Sequence, residues 1–140
     1  MLSPIQLVEH KILRIHFDTR NIEGDSAPLV FRHAITVVKQ DEQSPQWLVR
    51  LDVHFAPETD DANAPYIGEI AVVGVFSLPA DFPQENETNM VHVNGGAILF
   101  GTVRELLSGI TARGIHGSIT LPTVDARCFL PDSALDEDKS

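Results

Sequence analysis

The chain has 140 residues, a formal net charge of −10, 43% hydrophobic residues and a mean hydropathy near zero. That length and composition describe one folded domain, near the size at which a partner subunit helps to bury a core. The negative charge excludes nucleic acid and anionic membrane surfaces as partners, because both reward positive charge, and it favours basic partners.

Residues 5–18 read as the first strand. Leu13, Ile15 and Phe17 alternate with Arg14, His16 and Asp18, the pattern of a half-buried strand. Val8 and Ile12 fall on the opposite parity, which a bulge near Lys11–Leu13 would reconcile. A polar turn over Asn21 to Pro28 leads to a second strand over 29–39, with Phe31, Ile35 and Val37 on one face. Gln40 to Pro45 forms a hairpin loop. The third strand, 46–56, points Trp47, Val49, Leu51, Val53 and Phe55 one way and Leu48, Arg50, Asp52 and His54 the other. An acidic loop from Pro57 to Pro65 follows. The fourth strand, 66–78, is apolar on both parities, which places it centrally or at a subunit interface.

Pro79 and Pro83 stop that strand, and Gln84 to Val93 forms a short helix that Gly95-Gly96 separates from the next one. The longest helical period runs from Asn94 to Gly114, with Leu99, Val103, Leu106, Leu107 and Ile110 on one side. Asn94 is its expected N-cap and Gly114 its expected left-handed C-cap. Ile119 to Pro122 looks extended. Residues 1–130 form the single domain, and 131–140 an acidic, disordered tail. The expected class is α+β: a four-stranded antiparallel sheet, a short helix and one long helix. Such a sheet leaves apolar surface uncovered, which self-association would close.

The chain shows little that points to catalysis. His10, His16, His33, His54, His92 and His116 make no ligand-spacing motif, and no metal or other cofactor is expected. His10, His16 and His54 fall on the polar parity of their strands. Cys128, the single cysteine, reads as a small apolar filler and fits a reducing, cytoplasmic compartment. The segment Met1 to Gln6 has neither the basic start nor the apolar run of a signal peptide. No stretch approaches the roughly 18 apolar residues that span a bilayer, so no membrane insertion is expected. Arg104 and Glu105 read as a solvated helix face. Glu69 stands out as an acid sharing a face with Ile67, Ala71 and Val73. It would either protect a strand edge or, with Ile67, anchor a basic partner.

Two segments resemble the SecB family of export chaperones. One is Tyr66-Ile67-Gly68-Glu69-Ile70-Ala71-Val72-Val73-Gly74-Val75-Phe76-Ser77-Leu78. The other starts at Asn94-Gly95-Gly96-Ala97-Ile98-Leu99-Phe100 and continues with Arg104-Glu105-Leu106 and Thr111-Ala112-Arg113-Gly114. The resemblance implies a homotetramer, a dimer of dimers, with helices between sheets. It implies ATP-independent holding of unfolded preproteins and their delivery to the SecA motor of the translocase. Its docking patch would comprise Asp18, Ile67 and Glu69, while Arg14 reverses the charge of a second family acid. Some SecB-like members instead guard one antitoxin, and that dedicated role is the alternative expectation. A client groove needs sequence-tolerant apolar surface, and Phe76, Leu78, Phe82, Met90 and Phe100 are its candidates. Phe76 and Phe100 fit a buried core equally well. A small-molecule site built on the histidines is a more distant alternative.

Overall fold

The computed structural model describes residues 2–20, 27–41, 45–59 and 64–131. Much of the three loops expected after the first, second and third strands, and the acidic tail beyond Pro131, lie outside the described residues. The elements in order are β1 (Gln6–Thr19), β2 (Leu29–Lys39), β3 (Gln46–Pro57), β4 (Tyr66–Ser77), α1 (Gln84–Met90), a π-helical turn (Val91–Gly95), α2 (Gly96–Thr111) and a 3-10 turn (Ala126–Phe129).

The four strands form one antiparallel sheet in the order β1-β4-β3-β2. Alternation in β3 sorts its side chains as expected. Val49, Leu51, Val53 and Phe55 are fully buried and Trp47 nearly so. Each such side chain gains roughly 1.5–3 kcal/mol over remaining in water. Their register partners on β4, Ile70, Val72 and Phe76, complete the floor of the core. Leu99, Phe100, Val103 and Leu107 of α2 close it from above.

β1 is an edge strand with two register shifts, one between Leu7 and Glu9 and one between Ile12 and Arg14. The second is the expected bulge, and Leu13 is its extra residue. It brings Ile12 and Ile15 to the same face, opposite Val72 and Ile70. The first shift at Val8 carries His10 to that face as well, opposite Gly74. His10 therefore does not share the polar face of His16 and His54, contrary to the simple alternation.

Three local expectations for the helix are corrected. Gly95-Gly96 does not break it; both residues are right-handed helical, and the backbone runs from α1 through the π turn into α2. The glycines are there for close approach. A Cβ on Gly95 would sit 3.2 Å from Val49 Cγ2, and one on Gly96 would sit 2.5 Å from Phe129 Cγ. Asn94 is not an N-cap; it lies within the π turn, where its side-chain amide donates to the Met90 carbonyl (3.1 Å). Gly114 is not left-handed. Among the described residues that conformation belongs to Gly117 (φ 84°), where glycine carries no steric penalty.

The chain after α2 is tied back to the sheet. Tyr66 is fully buried, and its hydroxyl donates to the Gly117 carbonyl (2.9 Å) and accepts from His116 N–H (3.0 Å). Buried Thr111 donates to the Leu107 carbonyl (2.8 Å) and accepts from Ile119 N–H (2.9 Å). These bonds satisfy polar groups that burial would otherwise leave costly. They also direct residues 119–131 back across the helix face.

Candidate functional site

The register of three strands builds a polar cluster on the face of the sheet that no helix among the described residues covers. His16 of β1 lies opposite Glu69 of β4, which lies opposite His54 of β3; Asp18 lies opposite Ile67. Directly opposed side chains in antiparallel strands are close enough to interact. Glu69 Oε1 accepts a 2.6 Å bond from Arg14, and Glu69 Oε2 lies 3.2 Å from His54 Nδ1. His16 Nε2 lies 3.1 Å from Asp18 Oδ2. An open depression of about 580 Å³ adjoins them, lined by His16, Arg20, His54, Pro57, Ile67 and Glu69 among others.

The geometry thus brings Asp18, Ile67 and Glu69 together. It also shows that the acid is not bare. The Arg14 guanidinium, through its hydrogen bond, holds the Glu69 carboxyl below the usual carboxylate range; partial desolvation opposes this, and the charges of Arg14, His54 and His16 add to it. One carboxylate oxygen is already engaged by a cation of the chain itself, so a basic partner must share or displace Arg14.

The five groove candidates are not gathered on the surface. Phe76 is 0% exposed, Leu78 4% and Phe100 5%, so these three are interior side chains. The reason is that Phe76 of β4 and Phe100 of α2 both turn into the core, joined there by Leu78 just past the end of β4. Phe82 and Met90 are half-buried and pack against that core. The exposed apolar surface lies elsewhere. Val8, Ile12, Leu13 and Ile15 of β1 are each more than two-fifths exposed. Alternation hid this stripe because the bulges, not the parity, decide which way β1 side chains point.

A second feature escaped the sequence reading. Residues 125–130 form a short strap capped by Asp125, whose carboxylate accepts from Arg127 N–H (3.0 Å). The Arg127 guanidinium, hydrogen-bonded to the same group, holds that carboxyl down at about 2. Phe129 is fully buried, beside Phe100 (ring centroids 5.8 Å apart) and edge-on to His33 (5.1 Å). His92 Nδ1 lies 3.0 Å from the Phe129 carbonyl and His33 Nε2 3.3 Å from that of Cys128. His116 similarly meets the Arg20 carbonyl at 2.6 Å. These three histidines therefore serve backbone carbonyls. Burial pushes the Cys128 thiol up, with Asp125 adding to the effect, so the thiol is not activated as a nucleophile. The only forewarning of the strap was an aromatic-aliphatic pair, Phe129-Leu130, in an otherwise polar stretch.

The architecture is that of a SecB-like fold: four antiparallel strands under one long helix. It matches the Mycobacterium tuberculosis Rv1957 SecB-like chaperone, solved in complex with a ChAD peptide from the Rv1956 HigA1 antitoxin. That match has a TM-score of 0.67 and 15% identity, and covers 87% of this chain and 88% of the other. A protein of unknown function from Streptococcus agalactiae is more loosely similar, with a TM-score of 0.48 and 17% identity over 85% of this chain and 97% of the other. No protein-family model and no curated protein matches the sequence. Among the described residues no helix is long and apolar enough to cross a membrane.

Proposed function

We propose that this chain is an ATP-independent chaperone that holds unfolded stretches of a dedicated client, an antitoxin being the kind of client its structural neighbour binds. The observation that carries this reading is the SecB-like fold combined with an uncovered apolar edge. Val8, Ile12, Leu13 and Ile15 lie along a strand whose outer backbone groups face no other strand among the described residues. An exposed edge with apolar side chains offers main-chain hydrogen bonds and sequence-tolerant contacts to an extended guest or to a sister subunit. Its activity is binding without chemistry, and its assembly a homotetramer in which sister edges share that surface. A double variant, Ile12→Asp with Ile15→Asp, alters exposed side chains and leaves the core intact. It should weaken binding of an unfolded apolar peptide by roughly ten-fold, about 1.4 kcal/mol, in titration calorimetry. Unchanged affinity in a folded variant contradicts the edge as the holding surface.

A second reading, delivery of unfolded preproteins to a SecA motor, is favoured by one observation: Asp18, Ile67 and Glu69 share a face beside an open depression. On this reading Glu69→Lys reduces SecA affinity while client holding persists. If Glu69→Lys leaves SecA affinity unchanged, this docking patch is rejected.

A further inference from the structure

β4 is apolar on both faces, and α2 covers only one of them. On the other face Val73 and Val75 stand opposite Arg50 and Leu48 of β3, and Leu48 stands opposite Val38 of β2. Val38 is 51% exposed and Leu48 36%. Val38, Leu48, Val73 and Val75 thus form one apolar patch, at the end of the sheet away from Glu69, with no helix among the described residues over it. It is separate from Ile12 and Ile15, which lie opposite Val72 and Ile70 on the core face. A contiguous apolar patch left in water on a folded chain marks an interaction site.

The charges around the patch decide what can approach it. The whole chain has 10 Lys and Arg against 20 Asp and Glu. The described strands place four of those cations on this face: Lys11, Arg14, Arg32 and Arg50. They place only four of the acids there: Glu9, Asp18, Asp52 and Glu69. That leaves six cations against sixteen acids for the rest of the chain. Several charges of the face are already matched within it: Arg14 to Glu69 at 2.6 Å, Arg50 to Asp52 at 2.9 Å and His16 to Asp18 at 3.1 Å. Two copies of a chain with net charge −10 repel each other over most of their surfaces. That repulsion is least where charge is balanced and paired. An apolar centre inside a polar rim is also the make-up of a protein–protein interface. The size fits as well. Four strands of 11 to 14 residues span roughly 750 Å² in plan at ordinary strand spacing, close to the roughly 800 Å² per partner of a stable interface.

We propose that this open face is a docking surface for a second copy of the chain, packed sheet on sheet around Val38, Leu48, Val73 and Val75. Sheets packed this way lie about 10 Å apart with their strands within about 30° of each other. A two-fold axis along the strands, between β3 and β4, sets β3 of one protomer over β4 of the other. Leu48 then meets the partner's Val75, and His54 meets the partner's Glu69. The contact is distinct from the β1 edge, and distinct from an assembly with helices between sheets, which leaves this face outward. It covers Asp18, Ile67 and Glu69, so self-pairing and docking of a basic partner on those residues exclude each other. It does not depend on the holding function.

Sedimentation equilibrium on the full native chain and on a double variant, Val38→Glu with Leu48→Glu, tests the pairing. Both substitutions alter exposed side chains and leave the core intact. The folded variant should have half the native mass at the same concentration, because like charges then meet at the centre of the contact. A second measurement adds no charge. Leu48→Cys in a Cys128→Ser background should be joined to its own copy by a bismaleimide linker of about 10 Å, the spacing of packed sheets. Glu85→Cys in the same background, exposed on α1, should not be joined. An unchanged mass in the folded double variant, a native chain that is already monomeric, or equal cross-linking from positions 48 and 85 each overturns the proposal. So does a native chain that binds a SecA motor, and not itself, through Val38 and Leu48. If the double variant fails to fold, the cross-linking decides.

Discussion

Gly96 carries opposite meanings in the sequence and in the structure. In a helix interior, alanine is better than glycine by roughly 1 kcal/mol, so Gly96→Ala on an isolated helix would stabilise. Here the new Cβ would come within 2.5 Å of Phe129 Cγ and 2.8 Å of its Cβ, both close to the strap backbone. Overpacking of that kind costs about 1–3 kcal/mol, which outweighs the propensity gain. Gly96→Ala should therefore lower the urea midpoint of the folded chain; a raised midpoint contradicts the tight seat of Phe129. The sequence could not reveal this, because glycine next to glycine reads as a break unless one knows what lies opposite. Glu69 is the contrasting case. Its face and its companion Ile67 were legible from alternation alone, while the Arg14 and His54 contacts that temper its charge come from neighbouring strands.

At the scale of elements, strand positions were legible because β2 and β3 carry a period of two, β4 is a continuous apolar run, and turn signals stand at the strand ends. β2 spans Leu29–Lys39 and β3 spans Gln46–Pro57, as the alternation of Phe31, Ile35 and Val37 and of Trp47 through Phe55 anticipates. What escaped were the departures from ideal periods: the shift at Val8, and the π turn that fuses two expected helices into one. The π turn sets His92 against the strap, and this has a pH consequence. Burial holds His92 below its ordinary value of 6.5, with the bond to the Phe129 carbonyl partly opposing that effect. As pH falls through 6.5 the unfolded chain takes up the proton that the folded chain resists, so stability rises with pH in this window and falls toward acid. Gln at position 92 keeps an N–H donor and removes the titration. His92→Gln should thus lose less stability than the native chain between about pH 7.5 and about pH 5.5, a difference capped by the roughly 1.4 kcal/mol that each unit of pKa shift represents. Equal losses in denaturant unfolding at the two pH values contradict a half-buried, neutral His92.

At the scale of the whole molecule, the layering decides what is left over. One helix covers β3 and β4, the strap fills the gap toward β2, and Val8, Ile12, Leu13 and Ile15 of β1 remain exposed. On the proposed reading, that remainder is the surface a holding protein needs. Of the expected groove of Phe76, Leu78, Phe82, Met90 and Phe100, Phe76 and Phe100 take the core position that was their alternative reading, because the sheet and helix that carry them face one another, and Leu78 is buried with them. The central claim is that the surface left uncovered binds non-native polypeptide. The most direct measurement is light scattering from a chemically unfolded, aggregation-prone protein diluted into buffer with increasing amounts of this chain. The account predicts that aggregation falls away as the two approach equal concentration, without nucleotide. Undiminished scattering at several-fold excess of the folded chain would contradict it.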